Sequence, residues 1–294
     1  MLKRLSPAAP ALRPQRASTR SLAPCSRWAS AQFTGGSRAP VAASRGRTRA
    51  TARNLDGGAD DGVREGPDWL VRERDACGVG FIASLKGERT HKTITDSLTA
   101  LGCMEHRGAC SADDDSGDGA GIMCDIPWKM LSKHCDEAGI AGFQEGKSGV
   151  GMVFLPQDKA QAAKSKETLE ASIKAEGLTV LGWRAVPVNK DVVGRMAKDT
   201  EPVIEQVLVG GAEGDELERK LYVARKTAEK AAAEMDAAMP GIAENFYVCT
   251  LSGRTIVYKG MLRSAVVGEF YLDLQDEDFE AQFCIYHRRF STNT

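Results

Sequence analysis

The sequence predicts an α+β fold for the part of the chain that follows residue 76. Strand-like and helix-like segments are mixed there, and they do not follow the regular strand–helix–strand order that gives a parallel sheet. Short runs of alternating apolar residues predict strands, and longer runs with apolar residues at helical spacing predict helices. No internal repeat is present in the sequence. These observations favour layered sheets with helices packed against them.

The strands are predicted from period-two alternation and from their β-branched and aromatic residues. In chain order the strand segments lie at 77–85, 119–127, 148–156, 178–188, 201–209, 246–260, 269–274 and 283–290. Segment 246–260 is predicted to be a hairpin that turns at Ser252-Gly253. Helices are predicted at 90–108, 128–139, 157–177 and 215–239.

Two of these helices carry end signals. In helix 90–108, Thr93 and Asp96 resemble a capping box. In helix 215–239, Asp215 and Glu218 have the same spacing, and Pro240-Gly241 ends the helix. The apolar stripe of the second helix consists of Leu217, Leu221, Ala224, Ala228, Ala231 and Met235.

The first 55 residues differ in charge from the rest. They contain eleven Lys and Arg residues and no Asp or Glu, whereas residues 56–294 contain 28 basic and 40 acidic residues, a net charge of −12. A segment rich in Arg, Ser and Ala, without acids or an apolar period, is typical of an organelle transit peptide, and we predict a disordered one at 1–54. Residues 55–76 are predicted to be a propeptide or linker. A basic tail that binds nucleic acid is the alternative interpretation of 1–54.

Neither a membrane span nor a disulfide framework is predicted. No apolar run reaches 18 residues. An organelle interior would keep most of the eight cysteines reduced, and each can be a small buried apolar residue. The cysteines are Cys25, Cys77, Cys103, Cys110, Cys124, Cys135, Cys249 and Cys284.

Cys77 opens the first predicted strand, directly after the charged connector. In one interpretation it is a buried core residue. In the other, removal of residues 1–76 makes it the N-terminal residue, so that a thiol and a free α-amine share one residue. An α-amine has a pKa of about 7.7–8.0 and can accept the thiol proton as a general base. This second interpretation predicts an N-terminal nucleophile.

Segment 103–121 carries further candidate residues. Cys103, His106 and Cys110 have spacings that a zinc site could use, although no second ligand pair follows at finger spacing. The glycines after them do not fit a dinucleotide-binding loop, because they follow a helix and precede a strand. Arg107, at the predicted helix end, can bond the last carbonyls or contact an anionic substrate.

The last predicted strand contains two arginines on opposite faces. One face carries Phe283, Ile285, His287 and Arg289, and the other carries Cys284, Tyr286, Arg288 and Phe290. An arginine in an apolar strand is costly unless it pairs with a carboxylate. Either the protein or a bound ligand can supply that carboxylate.

Several motifs in the same order identify a family. The runs CGVGFIASL (77–85), LGCMEHRGACSADDDSGDGAGI (101–122), IPW (126–128) and RRFSTNT (288–294) closely resemble the amino-terminal class II glutamine amidotransferase domain of glutamate synthases. The second run is most similar to the ferredoxin-dependent enzymes of plastids. The resemblance covers residues 77–294 and implies a four-layer αββα N-terminal-nucleophile (Ntn) hydrolase fold, incomplete at the C-terminus.

The resemblance also implies roles for individual residues. Cys77 would be the catalytic nucleophile, Arg289 would hold the α-carboxylate of L-glutamine, and Arg107 and His287 would line the same pocket. Glutamine would be hydrolysed to glutamate and ammonia, and downstream synthase domains of the same chain would add the ammonia to 2-oxoglutarate. Ferredoxin would supply electrons through a 3Fe-4S iron–sulfur cluster and FMN in the full-length enzyme, and no cofactor or metal is expected in this segment. The implied location is the plastid stroma rather than the mitochondrion, with neither nucleic acid nor a membrane as partner.

The sequence departs from the family pattern in two ways. The family usually has His-Ser-Arg where this chain has His287-Arg288-Arg289, and strand alternation predicts that Arg288 points away from the site and contributes little. The chain also ends before the Asn-Gly that supplies oxyanion donors in the family, so these 294 residues alone are expected to be nearly inactive.

Two rival hypotheses remain. A non-catalytic amidotransferase-like module that binds amino acids predicts an intact segment 1–76 and an unreactive Cys77. A zinc module on Cys103, His106 and Cys110 predicts stoichiometric metal.

Overall fold

In a computed structural model of the protein, residues 78–108 and 115–289 are described, apart from the side chain of Arg107. The predictions for residues 1–76, Cys77, Cys110 and Phe290 lie outside the described residues. The strands are β1 (Gly78–Ala83), β2 (Ala120–Asp125), β3 (Ser148–Leu155), β4 (Thr179–Ala185), β5 (Val203–Gly210), β6 (Tyr247–Ser252), β7 (Thr255–Gly260) and β8 (Phe283–Arg288).

The strands form two antiparallel sheets of four strands each. In sheet I the order is β1-β8-β2-β7, and in sheet II it is β4-β5-β3-β6. The last strand of the described chain, β8, therefore lies in the middle of sheet I, between the first two strands.

The helices are α1 (His91–Cys103), α2 (Trp128–Ala138), α3 (Lys159–Ala175), α4 (Arg195–Lys198), α5 (Gly214–Met235), α6 (Ile242–Asn245) and α7 (Val267–Phe270). Short 3-10 turns cover Glu105–Arg107, Lys190–Val192, Ser264–Val266 and Leu272–Gln275. Within the described ranges, none of the helices is both long and apolar enough to cross a membrane.

The larger apolar core joins the two sheets. One face of each sheet contributes to it, together with side chains from α1 and α2. Its fully buried members include Ile94, Leu101, Ile122, Cys124, Leu131, Val150, Met152, Ile256, Tyr258 and Cys284. The alternation of β2 places Ile122 and Cys124 on this inner face, as the period of two requires.

A second core lies between the other face of sheet II and the two long helices, α3 and α5. It is built from Val153, Leu155, Leu169, Ile173, Val207, Val209, Leu217, Leu221, Ala224 and Ala228. The opposite face of sheet I is open in the described part of the chain, where Val79 and Phe81 are 56% and 74% exposed. The α+β prediction is confirmed, with a helical layer and two joined antiparallel sheets.

The predicted hairpin at 246–260 is wrong. Its two strands, β6 and β7, belong to different sheets, so the connection between them carries the chain from sheet II to sheet I. Glu218 of α5 holds this connection, because its carboxylate accepts bonds from the Ser252 hydroxyl and the Gly253 amide, each at 2.8 Å. The local turn signal at Ser252-Gly253 contains no information about this long-range contact.

The predicted strand at 269–274 is also wrong. The segment consists of the end of α7 and a 3-10 turn. Phe270, Tyr271 and Leu274 are buried there, and these positions share one face of a helical turn rather than alternate as in a strand. Asp273, in the same turn, is buried in a polar network between the sheets.

The predicted caps differ from the observed helix starts. Helix α1 begins after Thr90, and Asp96 pairs with Lys92 instead of acting in a capping box. Helix α5 begins after Glu213, so Asp215 lies within its first turn. The buried stripe of α5 continues through Ala232 rather than Ala231. Glu218 cannot serve as a capping partner, since it binds the β6–β7 connection.

The burial of the thiols gives a first testable prediction. Of the five described cysteines, Cys103 is exposed, and Cys124, Cys135, Cys249 and Cys284 are buried. Burial raises the pKa of Cys249 to about 12 and that of Cys284 to about 11, which leaves little reactive thiolate at pH 8.

Brief iodoacetamide treatment of the native protein is expected to label Cys103 and to spare the four buried thiols. Peptide mass mapping measures this, and the same treatment in urea is the control in which all of them react. Labelling of Cys124 or Cys284 as fast as Cys103 in the native state would contradict the described core.

Candidate active site

At one end of sheet I, a single row across the sheet contains one residue from each of its four strands. The register places Gly78 of β1 opposite Arg288 of β8, Arg288 opposite Ala120 of β2, and Ala120 opposite Gly260 of β7. Cys77 lies outside the described residues, but Gly78 follows it directly in the chain. The start of the first strand and the arginine pair at the end of β8 are therefore neighbours in the fold.

Arg289 has an unusual backbone conformation. Its φ is +83°, and it is the one non-glycine residue with positive φ in the described chain. Its amide donates a 2.7 Å hydrogen bond to the Gly119 carbonyl, and its side chain is half exposed, with Nε 4.0 Å from Oδ2 of Asp118. Positive φ at a residue other than glycine is costly, and such residues cluster at functional sites. The geometry leaves a half-exposed guanidinium at the sheet edge.

Arg288 lies on the opposite strand face from His287, as strand alternation predicts. Its side chain is fully buried and pairs with protein carboxylates. Nη1 binds Asp118 and donates to the Gly119 carbonyl at 3.2 Å, and Nη2 lies 3.8 Å from Oε1 of Glu105. These contacts make Arg288 a structural centre of the fold, while its contribution to the site stays a prediction.

The sequence left two sources for the carboxylate that an arginine in this strand requires, the protein or a ligand. The two neighbouring arginines differ in this respect. Arg288 takes its carboxylates from the protein, whereas Arg289 presents its guanidinium at the surface, where a ligand carboxylate could reach it. Asp118 and Glu105, the protein partners, are the residues that sequence reasoning missed. The sequence does indicate that such partners exist, since a buried arginine such as Arg288 requires an anion.

His287 lies on the other face of β8, next to Val79 across the β1–β8 pair. It is half-buried, and burial lowers the pKa of its imidazole, with the nearby Lys259 charge acting in the same direction. A bond between the ring and the Arg289 backbone opposes this shift. The lowered pKa favours the uncharged imidazole at neutral pH.

Arg107 belongs to the 3-10 turn Glu105–Arg107, and its side chain lies outside the described residues. The following residue, Gly108, packs directly on the Arg288 guanidinium. The contact is so close that a Cβ at position 108 would lie 2.1 Å from Cζ of Arg288. The turn that carries Arg107 is therefore adjacent to the arginine pair of β8.

The contacts of Cys103 and His106 give no support to zinc binding. Cys103 is exposed, and Nδ1 of His106 lies 3.1 Å from the Cys103 carbonyl oxygen, which is a helix-end contact. Cys110 lies outside the described residues. Across residues 78–108 and 115–289, no three His, Cys, Asp or Glu side chains are grouped so that they could hold a metal ion.

A mostly apolar cavity of about 440 Å³ opens beside Met261 and Leu262, after the end of β7. Its walls include Phe154, Ile204, Phe270 and Lys259. Neither His287 nor Arg289 lines it, so the cavity is separate from the residues predicted to bind substrate.

Comparison with known proteins identifies the class to which this fold and sheet edge belong. The family description "Glutamine amidotransferases class-II" matches residues 77–294, and the chain belongs to this family. Its fold is the predicted N-terminal-nucleophile hydrolase fold, with two antiparallel sheets and their helices. The match begins at Cys77.

Individual relatives are glutamate synthases. The chain is 52% identical over 232 residues to ferredoxin-dependent glutamate synthase 2 of Synechocystis, which covers 78% of this chain. It is 50% identical over 228 residues to the chloroplastic ferredoxin-dependent enzyme of rice, and 42% identical over 228 residues to the glutamate synthase (NADPH) large chain of Bacillus subtilis, with 76% of this chain covered in each case. The chain spans about 14% of the length of these relatives and is homologous to their glutaminase portion.

Proposed function

We propose that this chain forms the glutamine-hydrolysing part of a glutamate synthase, with Cys77 as nucleophile. The observation that carries the proposal is the family match that starts at Cys77, together with an exposed arginine at the sheet edge where the following residue, Gly78, pairs. The proposed division of the chain is a transit peptide at 1–54, a propeptide at 55–76 and an amidotransferase domain from 77 onward.

In the proposed mechanism, removal of residues 1–76 leaves Cys77 with a free α-amine. The amine accepts the thiol proton, directly or through a water molecule, and the thiolate attacks the side-chain amide carbon of glutamine. The C–N bond breaks, the amine proton passes to the leaving nitrogen, and ammonia departs. Water then hydrolyses the glutamyl thioester, which releases glutamate and restores the thiol.

The arginines would bind and orient the substrate. The Arg289 guanidinium can form two parallel bonds with the α-carboxylate of glutamine, and the turn that carries Arg107 lies next to it. His287, favoured as uncharged by burial, would line the pocket without adding a second cation. Fixing the α-carboxylate would place the side-chain amide at a set distance from the nucleophile.

The proposal extends to the longer protein by analogy with relatives. The names of the Synechocystis and rice relatives specify ferredoxin, and they match this chain at higher identity than the relative whose name specifies NADPH. We therefore propose that ammonia is transferred to 2-oxoglutarate with electrons from ferredoxin, in an enzyme that holds FMN and a 3Fe-4S cluster. These cofactors serve the synthase reaction, and no step of glutamine hydrolysis passes through them. Since plant relatives are named chloroplastic, the proposed location is the plastid stroma.

The proposal predicts the N-terminus and the reactivity of the mature protein. Intact mass measurement of protein from its native organelle is expected to show a chain that begins at Cys77. The glutamine analogue diazo-oxo-norleucine is expected to add one equivalent to Cys77, and excess glutamine is expected to protect it. A Cys77→Ser variant is the matched control and should take up no label. A chain that begins near residue 54 and leaves Cys77 unlabelled would instead indicate the non-catalytic amino-acid-binding module.

A further inference from the structure

Arg288 is the largest side chain that is completely buried in the described protein. Burying a guanidinium is costly, and the cost is offset only when carboxylates and carbonyls surround it in good geometry. Nη1 of Arg288 contacts Asp118 and the Gly119 carbonyl, and Nη2 faces Glu105.

The contacts of Arg288 join its own strand, β8, to two other pieces of chain, which makes three segments in all. Asp118 and Gly119 belong to the loop that precedes β2, Glu105 belongs to the turn after α1, and Gly108 stacks on the guanidinium from the other end of that turn. The Glu105 carboxylate also accepts a bond from Ser264, which fixes it from a fourth segment. The guanidinium thus fixes where the turn of Arg107 lies relative to the end of β8.

Arg288 also acts on its neighbour. Asp118 lies between the two arginines, with Oδ1 on Arg288 and Oδ2 4.0 Å from Nε of Arg289. The Gly119 carbonyl accepts both from Arg288 Nη1 and from the Arg289 amide. The same loop that Arg288 holds therefore supplies the contacts that keep Arg289 at positive φ.

We infer that Arg288 is a positioning residue for the glutamine α-carboxylate pocket, which acts by holding the Asp118–Gly119 loop and the Glu105–Gly108 turn against Arg289. The inference rests on the proposed function and adds to it a residue outside the proposed catalytic and substrate-binding set. Arg288 itself contacts no substrate, since its side chain is on the buried face.

The test uses the full-length, processed enzyme and the variant Arg288→Met, which keeps the stem volume and removes the guanidinium. The expected result is a rise of about tenfold or more in KM for glutamine with kcat changed less than about threefold, because the pocket arginines lose their placement while Cys77 keeps its chemistry. Labelling of Cys77 by diazo-oxo-norleucine should slow in parallel, whereas labelling by iodoacetamide, which lacks the α-carboxylate, should keep its wild-type rate. Arg288→Lys, which restores the charge, should recover part of the affinity.

The outcomes separate the possible failures. A folded Arg288→Met enzyme with wild-type KM, or one in which iodoacetamide labelling falls together with kcat, overturns the inference and leaves the proposed function intact. Wild-type enzyme that neither hydrolyses glutamine nor takes up diazo-oxo-norleucine overturns the proposed function itself. If Arg288→Met does not fold, the double variant Arg288→Met/Asp118→Asn removes the charge of the nearer carboxylate, and Asp118→Asn alone is its control because Asp118 also contacts Arg289. A KM in the double variant that is raised above that of Asp118→Asn supports the inference, and a KM equal to that of Asp118→Asn overturns it.

Discussion

Replacing Arg289 by methionine is expected to lower kcat/KM for glutamine hydrolysis by about 30- to 4,000-fold in the full-length processed enzyme. The loss of one partner from a charge-assisted, bidentate pair costs about 2–5 kcal/mol, and each 1.4 kcal/mol corresponds to about a factor of ten. Arg289 has a half-exposed guanidinium at the edge where β1 begins. Most of the loss should appear in KM, because the carboxylate contact is present in both the ground state and the transition state.

The backbone of Arg289 provides the matched control. Because its φ is +83°, Arg289→Gly relaxes the backbone while it removes the guanidinium, and it should lose activity as severely as Arg289→Met. Arg289→Lys keeps a charge without the planar fork and should fall between these variants and wild type. Steady-state assays of ammonia release measure all three. Activity within about threefold of wild type in Arg289→Met would show that the α-carboxylate is bound elsewhere.

The sequence could predict the strand that carries Arg288 and Arg289, because period-two alternation assigns neighbouring residues to opposite faces. It could not predict the partners. Asp118 precedes Arg288 by 170 residues, and local patterns contain no information about contacts at such a separation. The alternation of strand faces also ends at Arg289, because this residue has a positive φ that no local sequence signal indicates. The side chain of Arg289 therefore lies near Asp118, the residue that also pairs with Arg288.

The β6–β7 connection shows that local sequence patterns also fail to predict some connections of the fold. Two alternating segments around Ser252-Gly253 are equally compatible with a hairpin and with a chain that passes between sheets. In the fold, the connection contacts Glu218, a residue more than 30 positions away whose carboxylate binds the turn. The helices predicted at 90–108 and 215–239 are observed at 91–103 and 214–235. Their existence was predictable because apolar spacing is an intrinsic property of the segment, whereas both helices end earlier than predicted.

Asp273→Ala is expected to lower the free energy of unfolding by about 3–5 kcal/mol. The buried Asp273 carboxylate accepts two bonds from Arg184, at 2.7 and 2.9 Å, and one from the Tyr258 hydroxyl at 2.9 Å. Gln206 completes the network, with its Oε1 2.9 Å from Arg184 Nη1 and its Nε2 3.0 Å from the Tyr258 hydroxyl. Because Arg184 and Gln206 are in sheet II and Tyr258 is in sheet I, the network is a polar joint between the sheets. Removing Asp273 leaves the guanidinium buried without its counter-charge.

Urea unfolding followed by tryptophan fluorescence measures this effect, since Trp183 is next to Arg184 in β4. A loss of about 3–5 kcal/mol should lower the midpoint by about 1–2 M. Asp96→Ala is the matched control, because Asp96 pairs with Lys92 on the exposed surface of α1 and such pairs contribute about 0–1 kcal/mol.

The double variant Arg184→Met/Asp273→Leu distinguishes the two causes of instability. If the unpaired charge dominates, removing both charges should recover more than half of the lost midpoint, because apolar replacements of a buried pair are often close to neutral. If the hydrogen bonds of Gln206 and Tyr258 dominate, the double variant should stay as unstable as Asp273→Ala. A midpoint of Asp273→Ala within about 0.3 M of wild type, the size of change expected for an exposed pair, would mean that the sheets are held together by the apolar core alone.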